Sequence, residues 1–331
     1  MKIKEIELPQ EFAIGIDIGG TTTKFGIVNH RGEISNTGNI PTDKYSDIHQ
    51  FIDQLYEELK PSIKNVGGEK VIKGIGVGAP NGNYYTGTID YAPNLHWKGI
   101  IPIAKLISDR FLKPCTLTND ANAAAVGEMM YGAARGMRDF IMITLGTGVG
   151  SGIIANGQLI YGHDGFAGEL GHTVIRPEGR LHWGTGMRGT LETYASATGI
   201  AITAREIIDE RIGEKSLLRN IPHEEITSKT VFEAAAKGDK IANEVFQFTG
   251  KILGEALANF VMFSSPEAII LFGGVIKAGN LLLDPVKENM EKNLLPIFQN
   301  KVKLLFSELK ESDAAILGAS ALVWEIKEEL K

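Results

Sequence analysis

Apolar residues in this chain fall into two patterns: short unbroken runs that end at glycine, and longer stretches in which they recur every three or four positions. The runs Phe12-Ala13-Ile14-Gly15-Ile16-Asp17-Ile18, Phe140-Ile141-Met142-Ile143-Thr144-Leu145 and Ala268-Ile269-Ile270-Leu271-Phe272 predict buried strands. Lys73 to Gly78, stopped by Pro80, and Thr116 to Thr118 predict two more. Helical spacing at Ile48, Phe51, Ile52, Leu55 and Tyr56 predicts a helix from Asp47 to Leu59. Further helices are expected over 101–111, over Ala121 to Tyr131 after the capping pair Asn119 and Asp120, over Lys240 to Phe263, and over Asp313 to Leu330. The Phe and Met residues of 240–263 read as core, and Lys327-Glu328-Glu329 as a solvated face. Buried strands alternating with amphipathic helices imply an α/β fold.

Two of the runs open similar units. Ile18 leads into Gly19-Gly20-Thr21-Thr22-Thr23-Lys24, then Phe25-Gly26-Ile27-Val28 and a turn at Arg31-Gly32. Leu145 leads into Gly146-Thr147-Gly148-Val149-Gly150, then Ser151-Gly152-Ile153-Ile154 and a turn at Asn156-Gly157. Each reads strand, Gly/Thr hairpin, strand, turn, strand, with the register slipping by two residues along the unit. Such a duplication predicts two related αβ domains whose hairpins face each other across a cleft.

Composition narrows the function. The 331 residues are 43% hydrophobic and 22% charged, which excludes disorder as the main state and allows about two domains. The net charge of −6 comes with no basic block, so no nucleic-acid groove is expected. Cys115 is the only cysteine, which excludes an intrachain disulfide and fits a reducing compartment. Met1-Lys2-Ile3-Lys4-Glu5 lacks the apolar stretch of a secretory signal, and no uncharged run approaches a membrane span. The expectation is a cytoplasmic protein without membrane contact.

The chemistry sits at the glycine turns. A strand running into a Gly-rich turn can aim backbone N–H groups at a phosphate, and Asp17 beside that turn can hold Mg²⁺, directly or through water. The alternative is a tight hairpin with a capping Asp; the repetition of the turn at Gly146-Thr147-Gly148 favours phosphate. It is neither a Walker A loop, since no Gly-Lys-Ser/Thr closes it, nor a dinucleotide fingerprint, since a strand follows. Asp120, where a strand meets a helix, can accept the proton of an attacking alcohol or simply cap the helix. Glu169 and His172 in Gly168-Glu169-Leu170-Gly171-His172, and Glu192 in Gly189-Thr190-Leu191-Glu192, suit a pocket that hydrogen-bonds several hydroxyls, or ordinary surface polarity.

Together these segments resemble the ROK family of sugar kinases and repressors, within the actin-like ATPase superfamily, over essentially the whole chain. Asp17-Ile18-Gly19-Gly20-Thr21 with Lys24 resembles its first phosphate motif, and Asn119-Asp120-Ala121-Asn122-Ala123-Ala124 with Gly127-Glu128 its catalytic segment. Gly168 to His172 and Gly189 to Ser196 resemble its sugar-binding segments, Gly273-Gly274 its adenosine-side glycines, and Pro93-Asn94-Leu95-His96-Trp97 a loop of its glucokinases. The resemblance implies two duplicated actin-like (ribonuclease H-like) ATPase domains around a cleft: residues 1–118 with the C-terminal helix 313–331, and residues 119–312. It implies ATP and Mg²⁺, a homodimer, and a hexose contacted by Asn94, Asn119, Asp120, Glu169, His172 and Glu192. Nucleotide phosphates would lie on Asp17, Gly19, Gly20, Thr21, Lys24, Gly146, Thr147 and Gly148, with Gly273 and Gly274 on the adenosine side.

Asp120 would take the proton as the hexose primary hydroxyl attacks the γ-phosphate. Glucose is the expected acceptor, because of the Asn94 loop and Glu192. Kinases for N-acetylmannosamine, mannose or fructose are the alternatives, with a non-catalytic sugar sensor of the same family behind them. A repressor would need a winged-helix domain ahead of Asp17, and only about a dozen residues precede that strand.

One departure stands out. Family members commonly carry a Cys-x-Cys-Gly-x-x-Gly-Cys segment that binds zinc together with the motif histidine. The matching stretch here is Trp183-Gly184-Thr185-Gly186-Met187-Arg188-Gly189-Thr190, after an apparent one-residue insertion. All three thiolates are gone, so His172 and His182 cannot make a Cys₃His site, and no zinc is expected. A substitute site would have to draw on His163 or Asp164. Hydrogen bonds and Trp183 packing would then have to place His172 on the sugar.

Overall fold

A computed structural model of the protein describes residues 10–325. The N-terminal Met1 to Glu5 segment and the Lys327-Glu328-Glu329 run lie outside the described residues. The described residues divide into two compact units, one comprising 10–136, 159–167 and 308–325, the other 137–158 and 168–307.

The first unit is built on a five-stranded sheet. Its strands are β1 (Phe12–Ile18), β2 (Thr22–Asn29), β3 (Ile34–Pro41), β4 (Ile72–Gly78) and, after a small three-stranded sheet of β5 (Gly82–Asn83), β6 (Thr88–Asp90) and β7 (Ile100–Ile101), β8 (Cys115–Thr118). The order is β3-β2-β1-β4-β8, with β1, β2 and β3 antiparallel and β4 and β8 parallel to β1. Both faces of β1 are buried, as its unbroken apolar run requires.

Helix α1 (Ile48–Asn65) covers one face through Phe51, Ile52, Leu55 and Leu59, and α2 (Ile103–Phe111) packs beside it. The period predicts an end for α1 at Leu59, but the helix continues through Pro61. An interior proline loses a hydrogen bond at a cost of about 3 kcal/mol, against which the burial of Ile63 contributes about 1.5–3 kcal/mol.

The C-terminal helix, Ala314–Glu325, packs against the other face. Gly76 makes that contact close, because a Cβ there would collide with the Ala319 carbonyl oxygen. Helix α3 (Asp120–Tyr131) crosses the same terminal helix at Gly127, where a Cβ would lie 2.8 Å from the Gly318 Cα. This crossing ties α3 to the first unit, which therefore runs to residue 136, beyond the expected boundary at residue 118.

The second unit repeats the topology. Strands β9 (Phe140–Leu145), β10 (Val149–Ala155), β11 (Gln158–Leu159), β12 (Ala268–Phe272) and β13 (Lys303–Phe306) form a sheet of order β11-β10-β9-β12-β13, the same arrangement as β3-β2-β1-β4-β8. The hairpins differ in length. Ile18 pairs with Thr23 but Leu145 with Val149, so the two copies drift out of register at the turn.

Helices α4 (Glu192–Ala195), α5 (Ala197–Glu210), α6 (Ser228–Ala236), α7 (Lys240–Ser264) and α8 (Asn280–Lys292) complete this unit. Phe260 of α7 is core, as the periodicity predicts, and so is Phe246. Phe248, Met262 and Phe263, expected in the core with them, are instead exposed, because they lie off the face of α7 that packs into the core. Among the described residues no helix is long and apolar enough to cross a membrane.

Candidate active site

In the first unit, Asp17 lies at the end of β1, paired across the hairpin with Lys24 of β2. The turn between them is closed by Gly19 N–H donating to the Thr22 carbonyl at 3.1 Å, and it leaves Thr21 and Lys24 exposed. Gly20 touches a second predicted segment: a Cβ there would lie 2.6 Å from the Asn94 carbonyl oxygen. The Asn94 loop is pinned from below by buried Leu95 and by Trp97, whose Nε1–H donates to the Tyr45 carbonyl at 2.9 Å. Asn94 itself stays exposed beside the hairpin.

Parallel strands β1, β4 and β8 bring their carboxyl ends together, and there α3 begins. Asn119 caps the helix, its Oδ1 accepting the Asn122 N–H at 2.7 Å. Asp120 is the first helical residue and is exposed, with Oδ1 accepting the Ala121 N–H at 2.8 Å. Gly78 of β4 lies between the Asp17 carboxylate and the Asp120 backbone, so that the two residues share one neighbourhood. Burial, with the Asp120 charge adding to it, pushes the Asp17 carboxyl up from 3.8 to about 6, while Lys24 pulls the other way. A half-buried carboxylate with excess negative charge nearby is a hard oxygen donor of the kind Mg²⁺ takes, so the chemistry of Asp17 is compatible with that cation.

In the second unit, the hairpin Gly146-Thr147-Gly148 is held by Gly146 N–H donating to the Gly148 carbonyl at 3.0 Å. The start of α5 holds it too, as Ala197 N–H donates to the Gly146 carbonyl at 2.8 Å. A cavity of about 510 Å³ opens beside it, lined by Gly146, Thr147, Gly274, Ala197, Ile200, Phe232, Phe246 and the chains of Lys229, Glu233 and Lys277. A Cβ at Gly146 or Gly274 would meet no protein atom within 4 Å, so protein packing does not require glycine at either place. Gly273 differs: its φ is +105° and a Cβ would lie 2.5 Å from the Leu145 carbonyl oxygen. The Gly273-Gly274 pair thus splits into a turn residue and a cavity wall. Ser228, Lys229, Phe232 and Glu233 carry no motif, and only the folding of α6 against this turn reveals them.

Glu169, His172 and Glu192 gather in the second unit. Leu170-Gly171-His172 forms a single helical turn packed on β10, so close that a Gly171 Cβ would collide with the Val149 carbonyl oxygen. His172 Nδ1 lies 3.3 Å from Glu169 Oε2. That hydrogen bond, opposed by burial and helped by the charge of Glu192, raises the His172 pKa above 6.5. Glu192, buried at the start of α4, accepts the Val149 N–H on Oε2 at 2.7 Å and faces His182 Nε2 with Oε1 at 2.6 Å.

His172, His182 and Glu192 have donor atoms within 4.8 Å of one another, and they are the one group of this kind among the described residues. His163 and Asp164 are not part of it. The group does not fit zinc. Two histidines and a carboxylate are a set zinc can take, but His182 Nδ1 already accepts the N–H groups of Gly184 at 3.0 Å and Thr185 at 3.1 Å. The neutral ring therefore carries its proton on Nε2, the nitrogen a shared cation would need. The Trp183 ring stacks on His182, with centroids 4.7 Å apart, and not on His172, the residue it is expected to position.

Residues 13–326 match the sequence profile described as the ROK family. A glucokinase of Halalkalibacterium halodurans is 38% identical, the match covering 94% of this chain and 94% of that one. A glucokinase of Thermotoga maritima is 32% identical over 96% of this chain and 99% of its own. Among solved structures, a ROK family glucokinase from Streptomyces griseus in complex with glucose and AMPPNP superimposes with a TM-score of 0.76. It is 32% identical and the match covers 94% of this chain and 98% of that one.

Proposed function

The chain belongs to the ROK family, and on that premise we propose that it transfers the γ-phosphoryl group of ATP to the primary hydroxyl of glucose. The observation that carries this reading is the pairing of Asp120 with Asp17 around Gly78, at the carboxyl ends of three parallel strands. An exposed carboxylate can receive a proton there beside one suited to a phosphate-bound cation. Full-length similarity to glucokinases and to a glucose and AMPPNP complex supports the sugar and the nucleotide.

In this reading Asn94, Asn119, Glu169, His172 and Glu192 orient the hexose through its hydroxyls. Asp120 hydrogen-bonds the primary hydroxyl and accepts its proton as the oxygen attacks phosphorus; the γ-phosphoryl group leaves ADP and becomes the sugar phosphate. The transition state is loose, so alignment and charge neutralisation matter more than base strength. Alignment alone can contribute up to about 7–11 kcal/mol. Thr21, Lys24 and the backbone of both Gly/Thr hairpins bind phosphate oxygens, and the 510 Å³ cavity takes the adenosine, with Phe232 as its aromatic wall. Asp17 would hold Mg²⁺, which when bound supplies charge neutralisation to the phosphates.

The reaction belongs to the cytoplasm, where ATP is made available, and a homodimer completes the reading. An ADP-release assay with Mg-ATP across glucose, mannose, fructose and N-acetylmannosamine tests it. Turnover of glucose that Asp120→Asn abolishes is the expected result. Turnover of another hexose alone would move the specificity to that sugar. A sugar that raises the melting temperature with no turnover of any hexose would overturn the kinase reading in favour of a sensor.

A further inference from the structure

We propose that His182 is a positioning residue that clamps Glu192 for the hexose without any metal, an inference that rests on the reading of Glu192 as a sugar contact. The imidazole is 5% exposed and sits in a loop closed on itself: His182 N–H donates to the Met187 carbonyl at 2.7 Å and Gly186 N–H donates to the His182 carbonyl at 3.1 Å. Two backbone N–H groups, from Gly184 and Thr185, converge on Nδ1. Only a lone pair can receive them, so the ring proton resides on Nε2 and is donated to Glu192 Oε1 at 2.6 Å.

The other Glu192 oxygen is equally fixed. Oε2 accepts the Val149 N–H at 2.7 Å, and the glycine at 148 leaves it room, since a Cβ there would lie 2.5 Å away. Both oxygens are thereby oriented by donors that are themselves rigid, one in a strand and one on a ring whose tautomer the backbone dictates. A bond from a neutral donor to a carboxylate is shorter and stronger than one between neutral groups. The Trp183 face stacks on the ring, and the His172 ring lies beside it with centroids 5.4 Å apart. A metal shared by His172, His182 and Glu192 would need the Nε2 lone pair, and the two N–H groups on Nδ1 oppose that tautomer.

The full-length protein tests this with two variants that separate the two ring nitrogens. His182→Asn keeps an acceptor for the Gly184 and Thr185 N–H groups and loses the donor to Glu192; His182→Gln keeps a donor at the Nε2 position. The expected result is a KM for hexose raised about tenfold or more in His182→Asn, with the KM for ATP unchanged and kcat changed less, and substantial recovery in His182→Gln. ¹⁵N spectra of the histidine-labelled wild type should show a ring protonated on Nε2 and bare on Nδ1, absent in His182→Asn. Elemental analysis should find no bound transition metal.

A wild-type KM in a well-folded His182→Asn overturns the proposal. So does a metal-ligated or Nδ1-protonated ring, whatever the activity. Inactivity of the wild type toward every hexose overturns the kinase reading instead, and the tautomer then decides His182 by itself.

Discussion

The Asp17 carboxylate and the backbone of Asp120 approach the same point in space: a Cβ on Gly78 would lie 3.9 Å from Asp17 Oδ1 and 3.7 Å from Asp120 Cα. The negative charge of Asp120 is, after burial, the second reason Asp17 holds its proton up to about pH 6. Replacing Asp120 with Asn therefore has two expected effects. Turnover of hexose falls by a factor of about 100 or more, a barrier increase of at least ~2.7 kcal/mol. In metal-free protein the Asp17 pKa falls but stays above 3.8, because burial remains; a carboxyl-carbon NMR titration reads it. Retention of more than about a tenth of the activity would remove Asp120 from the role of base.

Asp17→Asn should stabilise the metal-free protein while abolishing phosphoryl transfer. The folded value of about 6 lies above the ordinary 3.8, so between these the folded state binds a proton that the unfolded chain does not. Asp17 therefore weakens folding fully above about pH 6, and the penalty disappears as the pH falls toward about 4. The variant should gain at most about 3 kcal/mol near pH 7, and nothing near pH 4, in urea denaturation. Equal gains at both pH values would contradict this account.

The two glycines at 273 and 274 should behave oppositely. Gly274→Ala should melt within a few degrees of wild type yet raise the KM for ATP, because the added methyl projects into space no protein atom fills. Gly273→Ala should lose about 1–3 kcal/mol, since alanine must adopt a positive φ and crowd the Leu145 carbonyl. Paired melting curves and nucleotide kinetics distinguish the cases.

Glu169→Gln should destabilise the protein more at mildly acidic than at alkaline pH. His172 has a folded pKa raised above 6.5, mainly by its hydrogen bond to Glu169, so the pair contributes stability fully below 6.5. That contribution is lost as the pH rises through the folded value. Comparing melting temperatures of wild type and variant near pH 6 and near pH 9 checks the sign; a gap that widens at the higher pH would refute it.

Much of this protein was legible along the chain. The β1 and β9 strands, the paired Gly/Thr hairpins and the capped start of α3 follow from local rules: unbroken apolar runs, turn residues, and Asn119 accepting a helix N–H. The ordered motifs from Asp17 to Gly274 pointed to the family without any structure, since each names a residue type at a fixed place on an element.

What stayed hidden depends on which elements meet. Ser228, Lys229 and Phe232 became cavity residues only when α6 folded against the turn at Gly274, a contact between segments some 45 residues apart with no motif in either. The continuation of α1 past Pro61 was decided by the burial of Ile63, which no window around a proline reveals. His182 is the clearest case. In sequence it is only a histidine beside a stretch from which the zinc-binding cysteines are missing. In the folded chain the N–H groups of Gly184 and Thr185 dictate which nitrogen holds its proton, and so turn it into a hydrogen-bond donor for Glu192. Local pattern specifies elements and their chemistry. Tautomer, pKa and cavity depend on distances across the fold, and those only tertiary packing sets.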